Sequence, residues 1–191
     1  MKDKQVKKVY SSGKLLNQLR IENIDTTDFF FYKLEPFSIP EEILEKLSGK
    51  CVAEYKYDGE RVQAHKKGKE VVLYSRRLEN ISSQYPDAAE LVKEQVKAER
   101  AILEAECVAV DVETGELLPF QELMHRRRKY GIQEAMEEHP ITLFMFDVLY
   151  VDGKDLTQQP YLVRHKHLEK IIETTDNIKV AEYIIAKDSE Q

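Results

Sequence analysis

No stretch of the 191-residue chain is apolar for long enough to cross a bilayer, so no membrane partner is expected. Residues Met1 to Lys8 are charged and lack the apolar segment of a secretory signal, which points to an intracellular protein. Cysteine is scarce. Cys51 and Cys107 both fall in strand-like runs and neither has metal-ligand spacing, so two buried thiols are expected rather than a disulfide framework. A positive net charge is also lacking. At -6, the chain is not one that coats nucleic acid indiscriminately. There is no internal repeat and no low-complexity linker. The histidines add no separate signal, because His165 and His167 are spaced to lie on different faces of a helix.

What is present suits one sizeable globular domain, with 42% hydrophobic residues. Charge is unevenly spread. Residues 1–20 hold six basic side chains (Lys2, Lys4, Lys7, Lys8, Lys14, Arg20) against the single acid Asp3, a local +5 that reads as a solvated face. A second cluster, His125-Arg126-Arg127-Arg128-Lys129, follows a helix-like segment and would suit phosphates.

Taken in order, residues 1–28 are polar with weak periodicity and read as partly helical or loosely ordered. Phe29 to Tyr32 is apolar and predicts a short strand. Pro40 to Leu47 has proline and acids in its first turn and predicts a short helix ended by Gly49. Cys51-Val52-Ala53 and the alternating run beyond Arg61 read as two strands joined by a turn at Asp58-Gly59. A turn at Lys67-Gly68-Lys69 leads to a strand over Val71–Tyr74. Helical spacing follows over Pro86–Lys97, then a strand over Ala101–Val110 and a turn around Gly115. Pro119–Lys129 reads as a helix. Ile141–Val151 is the most apolar run and predicts a central strand, turned by Asp152-Gly153. Pro160–Glu173 is an amphipathic helix, and Ile178–Ile185 a last strand. Neighbouring strands joined by short turns favour an α+β fold with mainly antiparallel sheets and flanking helices over a doubly wound parallel sheet.

The stretch Glu54-Tyr55-Lys56-Tyr57-Asp58-Gly59-Glu60-Arg61 carries the chemistry. Lys56 stands at a strand end beside the turn, where burial would strip an ammonium of its hydration. A hairpin with a solvated lysine is one reading. A lysine nucleophile is the other. At its free pKa of roughly 10 a lysine is nearly all ammonium, and attack requires partial desolvation or a nearby cation, such as Arg61 or a metal. Asp58 would orient the amine, and Gly59 would admit a ligand close to the backbone. By themselves these residues leave both readings open. Around them stand Arg76 at a strand exit and Glu106 inside an apolar strand. A carboxylate there is costly unless paired, hydrogen-bonded or on a metal. Phe144 and Phe146 alternate on one face of the central strand, with Asp147 expected on the other.

Five ordered segments resemble the motifs of ATP-dependent DNA ligases of the archaeal and eukaryotic type. They are Glu54 to Arg61, Leu73-Tyr74-Ser75-Arg76, Leu103 to Ala109, Pro119 to Leu123 with Arg126 to Lys129, and Leu143 to Gly153. Together they are far more specific than any one alone. The resemblance implies the ligase adenylation fold, with ATP and Mg²⁺ as cofactors. Lys56 would attack the α-phosphate of ATP, and Glu54 would read the adenine amino group. Arg61 and Glu106 would hold the ribose and nearby phosphate, with Glu106 also a metal ligand. Arg76 would contact phosphate and Phe146 would stack on adenine. Transfer of AMP to a 5′-phosphate and nick sealing would follow, each an in-line displacement at phosphorus. Nicked double-stranded DNA is the implied partner, its phosphates meeting Arg126 to Lys129. A sliding clamp and the ligase domains not found here are further implied partners, and a monomer is expected.

The pattern departs from the family in places. No second glutamate motif or Lys-x-Lys motif is found, nor an OB-fold or helical DNA-binding domain, and Pro36 to Pro40 stands where Pro-Met-Leu-Ala is usual. The expected division is a lead-in over 1–48 and a partial adenylation domain, shortened at its C-terminus, over 49–191, with complete nick sealing impaired. Two rival readings stand beside this one. One is a non-catalytic nucleotide- or DNA-binding fragment, and the other is an RNA ligase or capping-type nucleotidyltransferase.

Overall fold

The computed structural model describes residues 49–126 and 131–188, together with Glu41, Leu44, Glu45 and Leu47. The expectations for 1–28, for Phe29–Tyr32 and for most of Pro40–Leu47 lie outside these residues. The chain forms two compact units, one taking Met1–Tyr55 and Glu182–Gln191, the other Lys56–Ala181.

In the described part of the first unit, strands β1 (Cys51–Glu54) and β8 (Tyr183–Ala186) form an antiparallel pair with Cys51 opposite Ala186 and Glu54 opposite Tyr183. The larger unit is built on a six-stranded sheet. Its strands are β2 (Glu60–Lys67), β3 (Glu70–Ser75), β4 (Arg100–Ala109), β5 (Ile141–Val151), β6 (Lys154–Asp155) and β7 (Ile178–Val180). The order is β3-β2-β4-β5-β6, with β7 also on β5. Every pairing is antiparallel except β5 with β7. Helices α1 (Pro86–Gln95), α2 (Phe120–Met124), α3 (Ile132–Glu138) and α4 (Tyr161–Ile171) complete it.

Alternation decides the faces. On β4, Leu103, Ala105 and Cys107 join Val62 and Ala64 of β2 and Leu143 and Met145 of β5 in the core. Their alternates Glu104 and Glu106 lie on the other face. Helix α1 adds Ala88 and Val92, four residues apart, and α4 adds Leu168 and Ile171. A wholly buried side chain such as Leu103 contributes about 1.5–3 kcal/mol. Pro86 in the first turn of α1 removes a donor that the helix would leave unpaired. At the other end Lys66 Nζ donates to the carbonyls of Lys93 and Val96 at 2.9 and 2.6 Å.

Several expectations need correction. The two strands flanking Asp58-Gly59 are not a hairpin. β1 pairs with β8, and β2 with β3 and β4, so the segment 55–59 joins two sheets. Two apolar runs on either side of Asp-Gly look the same whether or not they pair. The single strand expected over Ile178–Ile185 is two strands in different sheets, β7 and β8. The helix expected over Pro119–Lys129 ends at Met124, with residues 127–130 outside the described part. Helix α3 was not expected at all. It begins after Gly131, whose φ of 72° is the left-handed region that glycine tolerates best.

Candidate active site

Lys56 is exposed and lies in the irregular segment 55–59, not at a strand end. Three contacts brace that segment. The Tyr57 ring stacks on Phe144, with centroids 3.9 Å apart and planes at 16°. Asp58 Oδ2 accepts the Phe120 backbone N–H at 3.2 Å. Gly59 packs against β4 so closely that a Cβ would stand 2.2 Å from the Cys107 carbonyl oxygen. Glycine is required here for close approach.

Arg61 leads the polar face of β2, opposite Glu106 on β4. Its Nε and Nη2 both donate to Glu104 Oε2, at 2.9 and 2.6 Å. Gln63 Nε2 donates to the other oxygen of Glu104 at 2.7 Å. That leaves Gln63 Oε1 to accept from His65 Nε2, also at 2.7 Å, which fixes the neutral imidazole as the Nε2–H tautomer. Burial raises the Glu104 carboxyl above its ordinary range, and the Arg61 charge opposes the rise. Burial likewise lowers His65 to about 4.

The Arg61 guanidinium also lies over Phe146, with Cζ 5.4 Å from the ring centroid. Phe146 owes its position to an irregularity. On β5, Asp147 pairs with Glu104 and Met145 with Ala105, so Phe146 is passed over as a bulge. The bulge overturns the expectation for Asp147. Phe144 stands opposite Glu106 and Asp147 opposite Glu104, so both occupy register positions on one face. Asp147 is locked there by Arg164 of α4, whose Nε and Nη2 donate to its two oxygens at 2.7 and 2.9 Å. Arg164 Nη1 also donates to the Gln159 carbonyl at 2.6 Å.

The structure places Arg61 over Phe146 and opposite Glu106, and holds the segment that carries Lys56 against β5 through Tyr57 and against β4 through Gly59. Arg76 is exposed, one residue beyond the last β2–β3 pair, Val62 with Ser75. The Ser75 hydroxyl accepts the Arg77 and Glu79 N–H groups and shapes the turn that carries Arg76. Glu54 belongs to the smaller unit, where it ends β1 and is exposed. Arg126 corrects an expectation. Far from facing solvent phosphates it is 1% exposed and paired with Asp87. The other members of its cluster lie outside the described residues.

As for a metal, no group of three or more His, Cys, Asp or Glu among the described residues is placed to hold one. The Glu106 carboxylate would suit Mg²⁺, which keeps much of its water and takes one or two carboxylates together with substrate phosphates. Sequence reasoning missed Tyr57, Gln63, Glu104 and Arg164. Glu104 left a signal, being a second acid two residues before Glu106 in an apolar strand. Tyr57 and Arg164 left none, since their partners are distant in the chain.

A sequence model described as the ATP dependent DNA ligase domain matches residues 33–191. A DNA ligase of Sulfophobococcus zilligii is 54% identical over 157 residues, covering 82% of this chain and 26% of that protein. DNA ligase 2 of Thermofilum pendens is 58% identical over 142 residues, covering 74% of this chain and 24% of that one. The chain thus spans about a quarter of the length of the curated relatives it matches. Among solved structures, mycobacterial DNA ligase D complexed with ATP and MES superimposes with a TM-score of 0.54 at 24% identity, covering 75% of this chain and 43% of that one. That likeness is one of fold.

Proposed function

The chain belongs to the ATP-dependent DNA ligase family, and from that premise we propose that it is the lysyl-adenylating part of such an enzyme, with Lys56 as nucleotidyl acceptor. The neutral Lys56 Nζ attacks the α-phosphorus of ATP. A P–N bond forms, the P–O bond to pyrophosphate breaks, and the amine sheds its proton to solvent. Within the complete enzyme a 5′-phosphate oxygen at a DNA nick then takes the AMP and restores the lysine. The 3′-hydroxyl finally displaces AMP to seal the strand. Mg²⁺, held by Glu106 and the substrate phosphates, would supply charge neutralisation at phosphorus.

The observation that carries this reading is the bracing of the exposed Lys56 segment at Tyr57, Asp58 and Gly59 beside an Arg61 already oriented by Glu104. Phosphoryl transfer depends on positioning and cations more than on covalent help, and pre-set side chains supply both. In this reading Phe146 offers its ring to adenine, Arg61 and Glu106 hold the ribose and the adjoining phosphate, and Arg76 meets phosphate at the sheet edge.

The test is intact mass after incubation with ATP and Mg²⁺, beside Lys56→Ala. Gain of one AMP by the parent and not by the variant is expected. No gain by the parent overturns the reading of this chain as a competent acceptor. It would favour a nucleotide- or DNA-binding role without adenylation. The relatives are DNA ligases, which weighs against an RNA ligase or capping enzyme. Competition between nicked DNA and nicked RNA for the charged protein decides that point.

A further inference from the structure

Arg126 opens a basic run yet points inward. Its Nη2 donates to both oxygens of Asp87 at 2.7 Å. Its Cζ lies 5.2 Å from the centroid of the Tyr85 ring, and its Nε and Nη1 are buried with no hydrogen-bond partner among the described residues. Tyr85 is fully buried, and its hydroxyl donates to Glu60 Oε2 at 3.1 Å. Glu60 is 7% exposed and starts β2. It sits between Gly59, pressed on the Cys107 carbonyl, and Arg61, which leaves on the opposite face.

A buried ion pair with two idle donors is a poor source of stability, because apolar side chains of similar size would serve as well. What it supplies is geometry. The Tyr85 ring and the Asp87 carboxylate fix the guanidinium, and the Tyr85 hydroxyl carries that fixed point to Glu60, which starts β2. Tyr57 and Asp58 hold the lysine segment from its own side.

We propose that Asp87, Arg126, Tyr85 and Glu60 form a buried bracket that positions residues 56–61 for nucleotidyl transfer, with Arg126 a positioning residue rather than a contact to DNA phosphate. The catalytic part of this inference rests on Lys56 being the nucleotidyl acceptor. Misplacing a reacting group by about 1 Å costs on the order of a hundredfold in rate. Loosening one hydrogen bond in the bracket is expected to cost about fivefold.

The experiment uses the full chain and two readouts. One is amide hydrogen exchange in a peptide covering 56–61, with a β5 peptide as internal control. The other is the rate of AMP uptake against ATP concentration. Tyr85→Phe removes only the hydroxyl and keeps the ring that packs the core. It is expected to raise exchange over 56–61 about fivefold with β5 unchanged, and to slow uptake about fivefold at saturating ATP without moving the half-saturating concentration. Arg126→Lys keeps the cation but loses the fork, and is expected to behave like Tyr85→Phe. Unchanged exchange in Tyr85→Phe overturns the bracket. Parental behaviour of Arg126→Lys overturns the part given to Arg126. If the parent takes up no AMP, the acceptor reading fails, while the exchange readout still decides the bracket.

Discussion

Glu104 and Glu106 stand two residues apart on one strand, yet their surroundings give them different work. Glu104 is wholly buried and spends its oxygens on Arg61 and Gln63, whereas Glu106 is only half-buried beside the lysine segment. The shared parity of the two was legible in the sequence. The depth of each was not, because depth is set by which strands flank β4. The Glu104 chain ends at His65, which makes a pH prediction. The folded pKa of His65 is about 4, below the usual value of 6.5. The unfolded state therefore binds the proton first, so stability is full above about pH 6.5 and is lost as pH falls toward 4. The loss attributable to His65 is at most about 3 kcal/mol. Glu104 acts in the opposite sense, since its raised carboxyl pKa favours the folded state as pH falls. Urea unfolding of the parent and of His65→Gln between pH 7.5 and 4.5 separates the two. The variant should show the smaller fall on acidification, and equal falls would refute the assignment.

At the scale of elements, the bulge at Phe146 does what strict alternation could not. It lets Phe144 and Asp147, three apart, occupy one face, with Phe146 between them under Arg61. Its hold is the Asp147–Arg164 pair, both members about 5% exposed. Removing one partner leaves a buried charge, so Asp147→Ala should cost about 3–5 kcal/mol. Asp147→Ala combined with Arg164→Met should cost clearly less than the sum of the two single changes. Denaturant unfolding of the three variants checks this, and a single change costing under about 1 kcal/mol would count against the lock. The elements themselves were largely readable. Pro86 at a helix start, the Lys67-Gly68-Lys69 turn, the apolar runs of β4 and β5 and the Asp152-Gly153 turn all stand near their expected places. Pairing was less readable. Local pattern records which residues want a sheet, but not which strand supplies the partner, and so β1 and β2 looked like a hairpin.

For the whole molecule, α+β architecture with mainly antiparallel sheets followed from short turns between apolar runs, and the structure agrees. Family membership was legible through ordered motifs rather than through composition, since a net charge of -6 points to no family at all. The side chains that orient those motifs come from far along the chain. Arg164 lies 17 residues beyond Asp147, and Arg126 39 residues beyond Asp87. No short sequence window holds both ends of such a pair.

The two cysteines happen to fall one in each unit. Cys51 is half-buried on β1, while Cys107 is fully enclosed on β4, where burial pushes its thiol pKa well up. The chain thus contains a pair of natural stopwatches. A thiol-reactive dye should mark Cys51 promptly in the native protein and reach Cys107 only when the larger sheet opens, which separates the two steps without any added label. Adding denaturant in small steps while following each thiol by peptide mass would then show which unit lets go first. Equal labelling rates in native buffer would mean that β4 is far more accessible than its packing allows.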